Sequence, residues 1–579
     1  MAYHKIDKDS INSITNALDF FQIPPTNVSI SSAKVFEILP SNPLTDTPYH
    51  FKIHSSQNYI DLSKCYLFTE FRIRKENANG QLIDLVATDN VASIQLIGYT
   101  FINNMRICIN GREVFNSNSL MAYKSYLSHE LSFSPAAKSS HLNVAGYYGD
   151  NGLSLESGTG FNSRKARFAQ STTAQFISKI DADLFNQPLY LINQCEIDIE
   201  ILPNESRFVL IAPLTIAGLP QILVTTLNCK LYVKKIDIMD GLALDIAKKL
   251  YMRPARYAIR KTMMKPLFIS QGRYEFNANL FMDQIPRRIV LGLVSNTDYV
   301  GAFERSPFNF QPFNLREISI IANGRSYPQA SYDFDFPRGK FARAFNDMNE
   351  AIGFTNSLES NGISYEQYAY THCIFVFNLT NSGEDQGGLF DLIKNGTTAV
   401  NIKFSQPIPE GGVMLVVMGE TDSLMMLDKN RTISIFLPIT SLINNEELPE
   451  YSEYLRKIAE SQIKIPTTEQ TIEKSAVGPF ANFPSIQLCK DAPSTNENYY
   501  THVYCWVMLL LYALLFISLV IYQLRSIVWL GTTIPKRKNK NNIELGQIDE
   551  QLTDYKNFDS KPKDEPNISR VSTDTKTLN

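Results

Sequence analysis

The amino-acid sequence predicts an all-β protein with two similar β-sandwich units, followed by one membrane-spanning helix. The main observation is an Asn-Gly-Arg turn that occurs twice, at Asn110–Arg112 and at Asn323–Arg325, each time after a run of alternating apolar residues. Asn-Gly in this setting favours a two-residue hairpin, because both turn positions need a positive φ. Similar segments flank both turns in the same order: Tyr59-Ile-Asp61 and Phe281-Met-Asp283 upstream, Leu191-Ile192 and Leu392-Ile393 downstream. A strand-rich unit of roughly 200 residues, a size that suits one all-β domain, therefore occurs twice.

The bulk composition is that of a folded protein without an overall charge suited to nucleic acid. Of 579 residues, 44% are hydrophobic and 20% are charged, so the chain can hold two or three domains with their own cores. The net charge of −3 argues against nucleic acid binding through overall charge, although a local basic patch stays open. Seven cysteines without a Cys-x-x-Cys pair indicate free thiols in a reducing compartment.

The first sandwich unit is predicted at 21–236. It follows a polar N-terminal arm at 1–20 that lacks the apolar segment of a secretory signal. In its clearest strand, Leu67, Thr69, Phe71 and Ile73 alternate with a mostly charged second face, as expected for a half-buried strand. A Gly- and Ser-rich stretch at 146–163 predicts a long exposed loop.

A basic connecting helix is predicted at 237–265. Leu242, Ile246 and Leu250 recur at helical spacing, and Pro254 is expected to break or kink the helix. The stretch also carries seven basic residues and no acidic one from position 248 onward: Lys248, Lys249, Arg253, Arg256, Arg260, Lys261 and Lys265. Three of its arginines could share a helical face that contacts phosphates or acidic protein, or the run could simply be solvated, as charge runs usually are.

The second sandwich unit is predicted at 266–440, with an insertion at 333–370 that contains a helix at 340–351. A polar linker or stalk at 441–502 follows. The 22 residues at 503–524 contain no charge and span about 33 Å as a helix, which exceeds a hydrocarbon layer of about 30 Å. They predict a transmembrane helix, and a buried soluble helix is the alternative. The last segment, 525–579, is charged and predicted to be disordered.

Motifs for catalysis are absent from the sequence. It has no nucleophile elbow, P-loop, dinucleotide-binding glycine pattern or zincin motif. His50 and His54 share a strand face but lack the further ligands of a jelly-roll metalloenzyme, so two ordinary polar residues are the favoured interpretation. Asp181 and Asp183 form only a weak candidate carboxylate pair. We therefore predict no catalytic, cofactor-binding or metal-binding residues and no enzymatic activity.

Seven segments in a fixed order resemble the double jelly-roll major capsid proteins of Polinton/Maverick elements and adintovirus-like viruses, copies of which are common in animal genomes. The resemblance covers roughly residues 20–435. The segments are 21–30 (FQIPPTNVSI), 58–63 (NYIDLS), 101–111 (FINNMRICING), 190–193 (YLIN), 284–290 (QIPRRIV), 306–310 (SPFNF) and 387–393 (GGLFDLI).

This resemblance implies two jelly rolls side by side in each subunit, at 21–236 and 266–440. It further implies a homotrimer with a pseudo-hexagonal outline that tiles a shell, in contact with minor capsid or penton proteins. The long segments 146–163 and 333–370 would form towers or inter-subunit clasps. Capsid-like particles or the cytoplasm would be its location, and nucleic acid is only a weakly supported partner.

The C-terminal region departs from the family, whose members do not ordinarily end in a spanning helix. The segment 503–524 would contact a lipid bilayer and make the chain a single-pass membrane protein. Three explanations of this segment are open: a membrane-anchored variant of the family, a descendant domesticated by its host, or a gene fused to neighbouring sequence. Basic residues after 524 favour a cytosolic tail, whereas the free thiols favour a cytosolic body. Besides a capsid protein, the sequence leaves open a host membrane protein whose double jelly roll serves as a binding or adhesion module.

Overall fold

Two β-sandwiches with the same strand topology follow each other along the chain in the computed structural model. The structure describes residues 25–436 except 78, 151–152, 214–220 and 384–389, together with 6–7, 9–11, 13–18, 20 and 23. The predicted linker 441–502, spanning helix 503–524 and tail 525–579 lie outside these residues. Within the described ranges, no helix combines the length and the apolar character needed to cross a membrane.

The first sandwich is built from eight main strands in two sheets. Antiparallel pairing orders them β1-β8-β3-β6 in one sheet and β2-β7-β4-β5 in the other. The strands are β1 (Ile30–Ile38), β2 (Tyr49–Ile53), β3 (Tyr59–Glu76), β4 (Ile102–Ile109), β5 (Arg112–Asn116), β6 (Ala174–Lys179), β7 (Ile197–Pro203) and β8 (Ile222–Ile238).

The second sandwich repeats this arrangement, with strands β9 to β16 in the places of β1 to β8. Its sheets are β9-β16-β11-β14 and β10-β15-β12-β13. The strands are β9 (Ala255–Ile269), β10 (Glu275–Phe281), β11 (Arg288–Ser295), β12 (Leu315–Ala322), β13 (Arg325–Tyr327), β14 (Ile374–Asn378), β15 (Thr398–Phe404) and β16 (Val413–Leu427). Shorter strands lie at Leu82–Asp84, Ala92–Ser93, Leu210–Ile211, Gln284–Ile285, Lys394–Asn395 and Ile433–Phe436.

Each sandwich has the strand order of a jelly roll, in which two four-stranded antiparallel sheets interleave strands from both halves of the unit. The predicted all-β double jelly roll is therefore confirmed. We call the sandwich of β1–β8 roll 1 and that of β9–β16 roll 2. The two predicted Asn-Gly turns link equivalent strands, β4 to β5 and β12 to β13. Asn110, Gly111, Asn323 and Gly324 all have positive φ, between 46° and 77°, as a two-residue hairpin requires.

The burial of the strands follows from their side-chain periodicity. Leu67, Thr69, Phe71 and Ile73 are buried on the inner face of β3, as predicted, while Arg72 and Arg74 are only partly buried on its outer face. Residues 289–294 of β11 are buried on both faces instead. A strand that is buried on both faces must be covered on the outer face of its sheet. Roll 1 covers this outer face of roll 2.

Short helices fill the connections between the strands. They are α1 (Ile97–Thr100), α2 (Met121–Ser132), α3 (Pro135–Lys138), α4 (Thr159–Arg167), α5 (Ser206–Val209), α6 (Asp240–Met252), α7 (Asn296–Val300), α8 (Ala342–Ala351) and α9 (Tyr365–Tyr370). Short 3₁₀ turns lie at Asn16–Leu18, His141–Ala145, Ala169–Ser171, Asp183–Asn186 and Phe336–Arg338. The helix expected at 340–351 is α8.

Two predicted connections are corrected by the structure. The helix predicted at 237–265 is α6 alone, because Pro254 ends it and β9 begins at Ala255, so roll 2 starts earlier than position 266. The stretch 146–163 is not simply an exposed loop. Leu155 and Phe161 are buried within it, and its C-terminal part forms the start of α4, because these apolar side chains complete the core.

Candidate functional site at the junction of the two rolls

Helix α2 of roll 1 is the centre of the contact between the two rolls. Ten of its twelve residues are buried, because it packs on roll 1 and faces the outer side of the sheet β9-β16-β11-β14 of roll 2. The rings of Tyr126 and Phe308 stack at 4.2 Å, and the Tyr123 hydroxyl donates a 3.0 Å hydrogen bond to the Pro307 carbonyl. Stacked aromatic side chains with satisfied hydroxyls stabilise such a junction beyond the area that they bury.

A glycine in β11 allows this aromatic cluster to lie directly on the sheet. A Cβ atom on Gly292 would lie 2.3 Å from Cδ1 of Phe310, far inside van der Waals contact. The Phe310 ring is fully buried and stacks near Tyr126, with 6.1 Å between the ring centroids. The glycine thus sets the distance between roll 2 and α2.

A buried ion cluster joins α2 to the segment after β6 and to roll 2. The Lys124 ammonium donates hydrogen bonds to the Asp181 carbonyl at 2.8 Å and to Asp181 Oδ1 at 3.0 Å, and it lies 3.8 Å from Asp183 Oδ1. Asp183 Oδ2 accepts a 2.8 Å hydrogen bond from the backbone N–H of Thr262 in β9. Asp183 therefore links the buried ammonium of roll 1 to the backbone of roll 2.

The pKa values of this cluster show which charge the ammonium balances. Burial alone would raise the pKa of Asp181, but the nearby Lys124 outweighs it and holds the pKa below its ordinary value. For Asp183, burial prevails over the attraction of Lys124 and raises the pKa. Burial would also lower the pKa of Lys124, yet the two carboxylates raise it. The stable form of the cluster is thus an ammonium paired chiefly with Asp181.

A second buried cluster joins the two rolls through Lys138 at the end of α3. Its ammonium donates to Glu130 Oε1 at 2.8 Å and to the Asn361 carbonyl of roll 2 at 2.7 Å. The Tyr147 hydroxyl donates to Glu130 Oε2 at 3.1 Å. Burial would raise the pKa of Glu130, but Lys138 and His372 lower it, and burial lowers the pKa of His372. Every charge in this cluster has a partner, which is the condition for burial without a large penalty.

Arg164 of α4 organises the stretch that the sequence indicated as an exposed loop. It is fully buried and donates to the carbonyls of Ser93, Tyr148 and Leu155 as well as to Asp150. Burial raises the pKa of Asp150 to about 6 despite this guanidinium. The Asp150 carbonyl also accepts a 2.9 Å hydrogen bond from Gln367 of α9, so the stretch is held against roll 2.

The first Asn-Gly-Arg turn forms one corner of the junction. The Asn110 side-chain amide donates to the Arg431 carbonyl at 2.9 Å, and Arg112 donates to the Ile433 carbonyl. In return, Arg431 Nη2 donates to Asn193 Oδ1 at 2.7 Å. Arg431 and Ile433 lie in the segment that follows β16. The repeated turn of roll 1 is thus bound by the chain that leaves the last strand of roll 2.

A cavity of about 570 Å³ lies between α2 and roll 2. Leu127 and Leu131 of α2 line it together with Val290 and Met418 of roll 2. Its charged lining residues are Lys124, Asp181, Asp183, Arg260, Arg288 and Glu420. The charges are paired within the wall, for example Arg288 with both carboxylate oxygens of Glu420 at 2.8 and 3.0 Å. Among the described residues, no set of three His, Cys, Asp or Glu side chains is placed to hold a metal ion.

The structure places the candidate site residues of the sequence analysis in different surroundings. His50 and His54 are exposed, and each lies about 4 Å from a glutamate, Glu200 and Glu196 respectively. Asp181 and Asp183 do come together, but around the Lys124 ammonium, and both line the cavity at the junction. Sequence reasoning missed Lys124, Lys138 and Arg164. The available signal was charged residues in otherwise apolar surroundings, such as Lys124 and Glu130 in α2.

The proposed helical face of arginines is wrong. Arg253 follows the end of α6, whereas Arg256 and Arg260 belong to β9, where Arg260 lines the cavity. Lys249 pairs with Asp245 one turn earlier in α6, at 2.7 Å. Two of the seven basic residues thus lie in α6 and four in β9, with Arg253 between the two elements, because Pro254 separates them.

Asp298 of α7 is a fully buried carboxylate close to the junction, and it gives the stability a predictable pH dependence. Burial raises its pKa to about 6, although Arg305 Nε lies 3.1 Å from Oδ1. Because the folded-state pKa lies above the ordinary value, the folded wild type binds this proton more readily than the unfolded chain. Its contribution is present below about pH 4 and is lost as the pH rises through about 6.

Asp298→Asn removes this titration. From pH 8 to pH 5 we expect the wild type to gain about 1–2 kcal/mol of unfolding free energy relative to the variant. Thermal unfolding of both proteins at the two pH values measures this, and the variant's relative advantage should be larger at pH 8. A difference between the two proteins that does not change with pH would contradict a raised pKa at Asp298.

Comparisons with known proteins give a relative in sequence and similar folds among solved structures. No protein-family profile matches the chain. An uncharacterized protein of Caenorhabditis elegans is 29% identical over 393 residues, which cover 66% of this chain and 91% of that protein. A chain in the structure of the Sputnik virophage superposes with a TM-score of 0.51 at 12% identity, covering 79% of this chain and 99% of that chain. The mavirus major capsid protein reaches a TM-score of 0.42 at 11% identity, covering 76% of this chain and 99% of that one. The likeness to the Sputnik virophage chain is one of fold, and at that level it agrees with the resemblance found in the sequence.

Proposed function

We propose that this chain is a non-catalytic structural protein of a capsid-like shell, in which three copies form a pseudo-hexagonal capsomer. The observation that carries the proposal is the duplication: two jelly rolls of one topology, joined by a buried junction, stand in a single chain. A protein that folds twice into the same sandwich supplies two nearly equivalent building units per subunit.

The duplication converts a three-fold assembly into one with an almost six-fold outline. Three subunits with two similar sandwiches each present six similar units around one axis. Such a near-hexagonal block can pack against six neighbours, as a closed shell requires over most of its surface. Hydrogen bonds from the two buried ion clusters cross the junction and keep the two rolls of a subunit in one orientation: the Thr262 N–H donates to Asp183, and Lys138 donates to the Asn361 carbonyl.

The fold shared with a chain of the Sputnik virophage supports this proposal, since that chain comes from a virus particle. The partners would be further copies of the chain and minor capsid or penton proteins. The charge distribution gives nucleic acid little support, because the net charge is −3 and the basic run is divided between α6 and β9.

The oligomeric state tests the proposal. Size-exclusion chromatography with light scattering of the full-length chain should give a mass of three times the 65.6 kDa of one chain, or a multiple of that trimer. A stable monomer at micromolar concentration would contradict the capsomer.

A second candidate is a single-pass membrane protein that uses the double jelly roll as a binding or adhesion module. The observation that favours it is the uncharged segment 503–524. If this function is right, full-length protein should stay with membranes after carbonate extraction of fractionated cells. Release of the intact chain into the soluble fraction would argue against it.

A further inference from the structure

Four exposed cationic side chains lie around the end of α6, and we call them the basic patch: Lys248, Arg253, Arg256 and Lys429. The first lies in α6, the second follows that helix, the third belongs to β9, and the fourth lies in the turn after β16. The Lys429 ammonium lies 5.3 Å from the centroid of the Tyr251 ring, so this turn adjoins the last residues of α6. Folding thus adds a distant lysine to part of the basic run seen in the sequence.

The basic patch has no counter-charge in the part of the chain that the structure describes. None of its four cationic groups forms an ion pair or donates a hydrogen bond there. Two acidic residues of the neighbouring sequence are engaged elsewhere. Asp245 pairs with Lys249 at 2.7 Å. Asp428 Oδ1 accepts the backbone N–H groups of Asn430 and Thr432, both at 2.8 Å. The patch is therefore a local surface of positive charge on a chain whose net charge is −3.

Exposed apolar side chains accompany these cations on α6. Leu244, Tyr251 and Met252 are 58%, 75% and 87% exposed. Leu244, Lys248 and Tyr251 follow each other at intervals of four and three residues, so they share one face of the helix. A charged face that is only solvated does not need apolar neighbours, whereas a protein contact uses both kinds of side chain. The surface therefore favours a partner that carries carboxylates together with apolar side chains.

The chain leaves roll 2 close to the basic patch. The short strand Ile433–Phe436 pairs with the end of β16, on the edge of β16 that β9 does not occupy. Its register aligns Ser434 with Met426 of β16, which is itself aligned with Arg256 of β9. Neighbouring strands lie about 4.8 Å apart, so the Cα atoms of Ser434 and Arg256 are roughly 10 Å apart. The residues that follow Phe436 therefore begin near the patch.

The first charged residues after Phe436 are acidic. Residues 437–445 carry no charge, and the segment 446–450 (EELPE) then supplies three carboxylates and Leu448 ahead of any lysine or arginine. Nine residues can span up to about 30 Å, which exceeds the distance from Phe436 to the patch. A segment tethered this closely has an effective concentration on the order of 1 mM. Even a weak attraction is therefore enough for the segment to bind the patch.

We propose that the acidic segment 446–450 binds the basic patch of the same chain, with its carboxylates beside the cations and Leu448 against Tyr251 and Met252. The contact fastens the chain that leaves roll 2 to the helix that connects the two rolls. It gives the rolls a connection besides the buried junction, and salt weakens it because the paired charges lie at the surface. The inference does not depend on the capsomer, since both sides of the contact belong to one chain.

Carbodiimide coupling of the full-length chain tests this contact, because the reagent joins a lysine amine directly to a carboxyl group that it touches. Peptide mass spectrometry of the monomer band from a denaturing gel should show Lys248 or Lys429 coupled to a glutamate of segment 446–450. Lys64 of β3 is exposed as well and serves as the control, which should not couple to this segment. Coupling found only in a band of dimer mass would assign the patch to a second copy and contradict the proposal.

Arg253→Glu combined with Arg256→Glu reverses half of the basic patch and keeps both of its lysines for the coupling. The yield of the coupled product should fall at least about fivefold, because two attractions become repulsions. The matched control is Arg316→Glu with Arg338→Glu, at arginines whose side chains are 60% and 78% exposed, and it should leave the yield unchanged. Far-ultraviolet circular dichroism should be the same for all three proteins. If the patch lysines couple to the segment no more than Lys64 does, or if the two double variants give equal yields, the proposed contact is wrong.

Discussion

Lys124→Met is expected to lower the free energy of unfolding by about 3–5 kcal/mol, because it leaves the buried Asp181 carboxylate without its counter-charge. Asp181 keeps hydrogen bonds from the Ser125 hydroxyl at 3.0 Å and from the Asn186 amide at 3.2 Å, but neither carries a positive charge. Methionine retains the length and the apolar stem of lysine, so the loss reports on the charge rather than on a cavity. Urea unfolding at pH 7 measures the change.

Lys249→Met is the matched control for this charge removal. Its ammonium pairs with Asp245 at 2.7 Å, but both side chains are exposed on α6, so the loss should stay below about 0.5 kcal/mol. Adding Asp181→Asn to Lys124→Met should restore part of the stability, because the unpaired charge is then removed. Equal, small effects of Lys124→Met and Lys249→Met would show that the buried cluster does not hold the junction.

Gly292→Ala is expected to lower the free energy of unfolding by about 2–3 kcal/mol, although alanine is the better residue for a strand interior. The added methyl group would lie 2.3 Å from Cδ1 and 2.6 Å from Cε1 of Phe310. The ring cannot turn away easily, since it is fully buried among Tyr123 and Tyr126 of α2. The strain should therefore separate roll 2 from α2, and thermal unfolding should show a lower midpoint.

Gly241→Ala gives the opposite expectation. This glycine lies in α6 with no atom within 4 Å of an added Cβ, so alanine should stabilise by up to about 1 kcal/mol through helix propensity. Phe310→Leu should lessen the cost of Gly292→Ala, since the smaller side chain makes room for the methyl group. If Gly292→Ala were as harmless as Gly241→Ala, the close contact between sheet and ring would not exist in solution.

The fold was largely predictable from local patterns in the sequence. Asn110-Gly111 and Asn323-Gly324 require positive φ whatever surrounds them, and the alternation in β3 assigns its inner face directly. Strand β9 was not predicted, because its basic residues were interpreted as part of a basic connecting helix at 237–265. Tyr257 and Ile259 are nevertheless buried and alternate with the exposed Arg256 and Ala258, which is the period of a strand.

The junction was much harder to predict, because its residues come together only in three dimensions. Helix α2 is buried on nearly all sides, so it lacks the amphipathic pattern by which a surface helix is recognised. Lys124 and Asp181 lie 57 residues apart in the chain, and Lys138 and Asn361 lie 223 apart. Spacing in the sequence carries no information on such pairs, and a charged residue in an apolar helix shows only that some partner must exist.

The arrangement of chains in the particle tests the central claim most directly. Cryo-electron microscopy of the purified full-length chain should show three copies in a closed ring with six similar lobes. Single two-lobed particles at micromolar concentration, or rings with another number of copies, would contradict it.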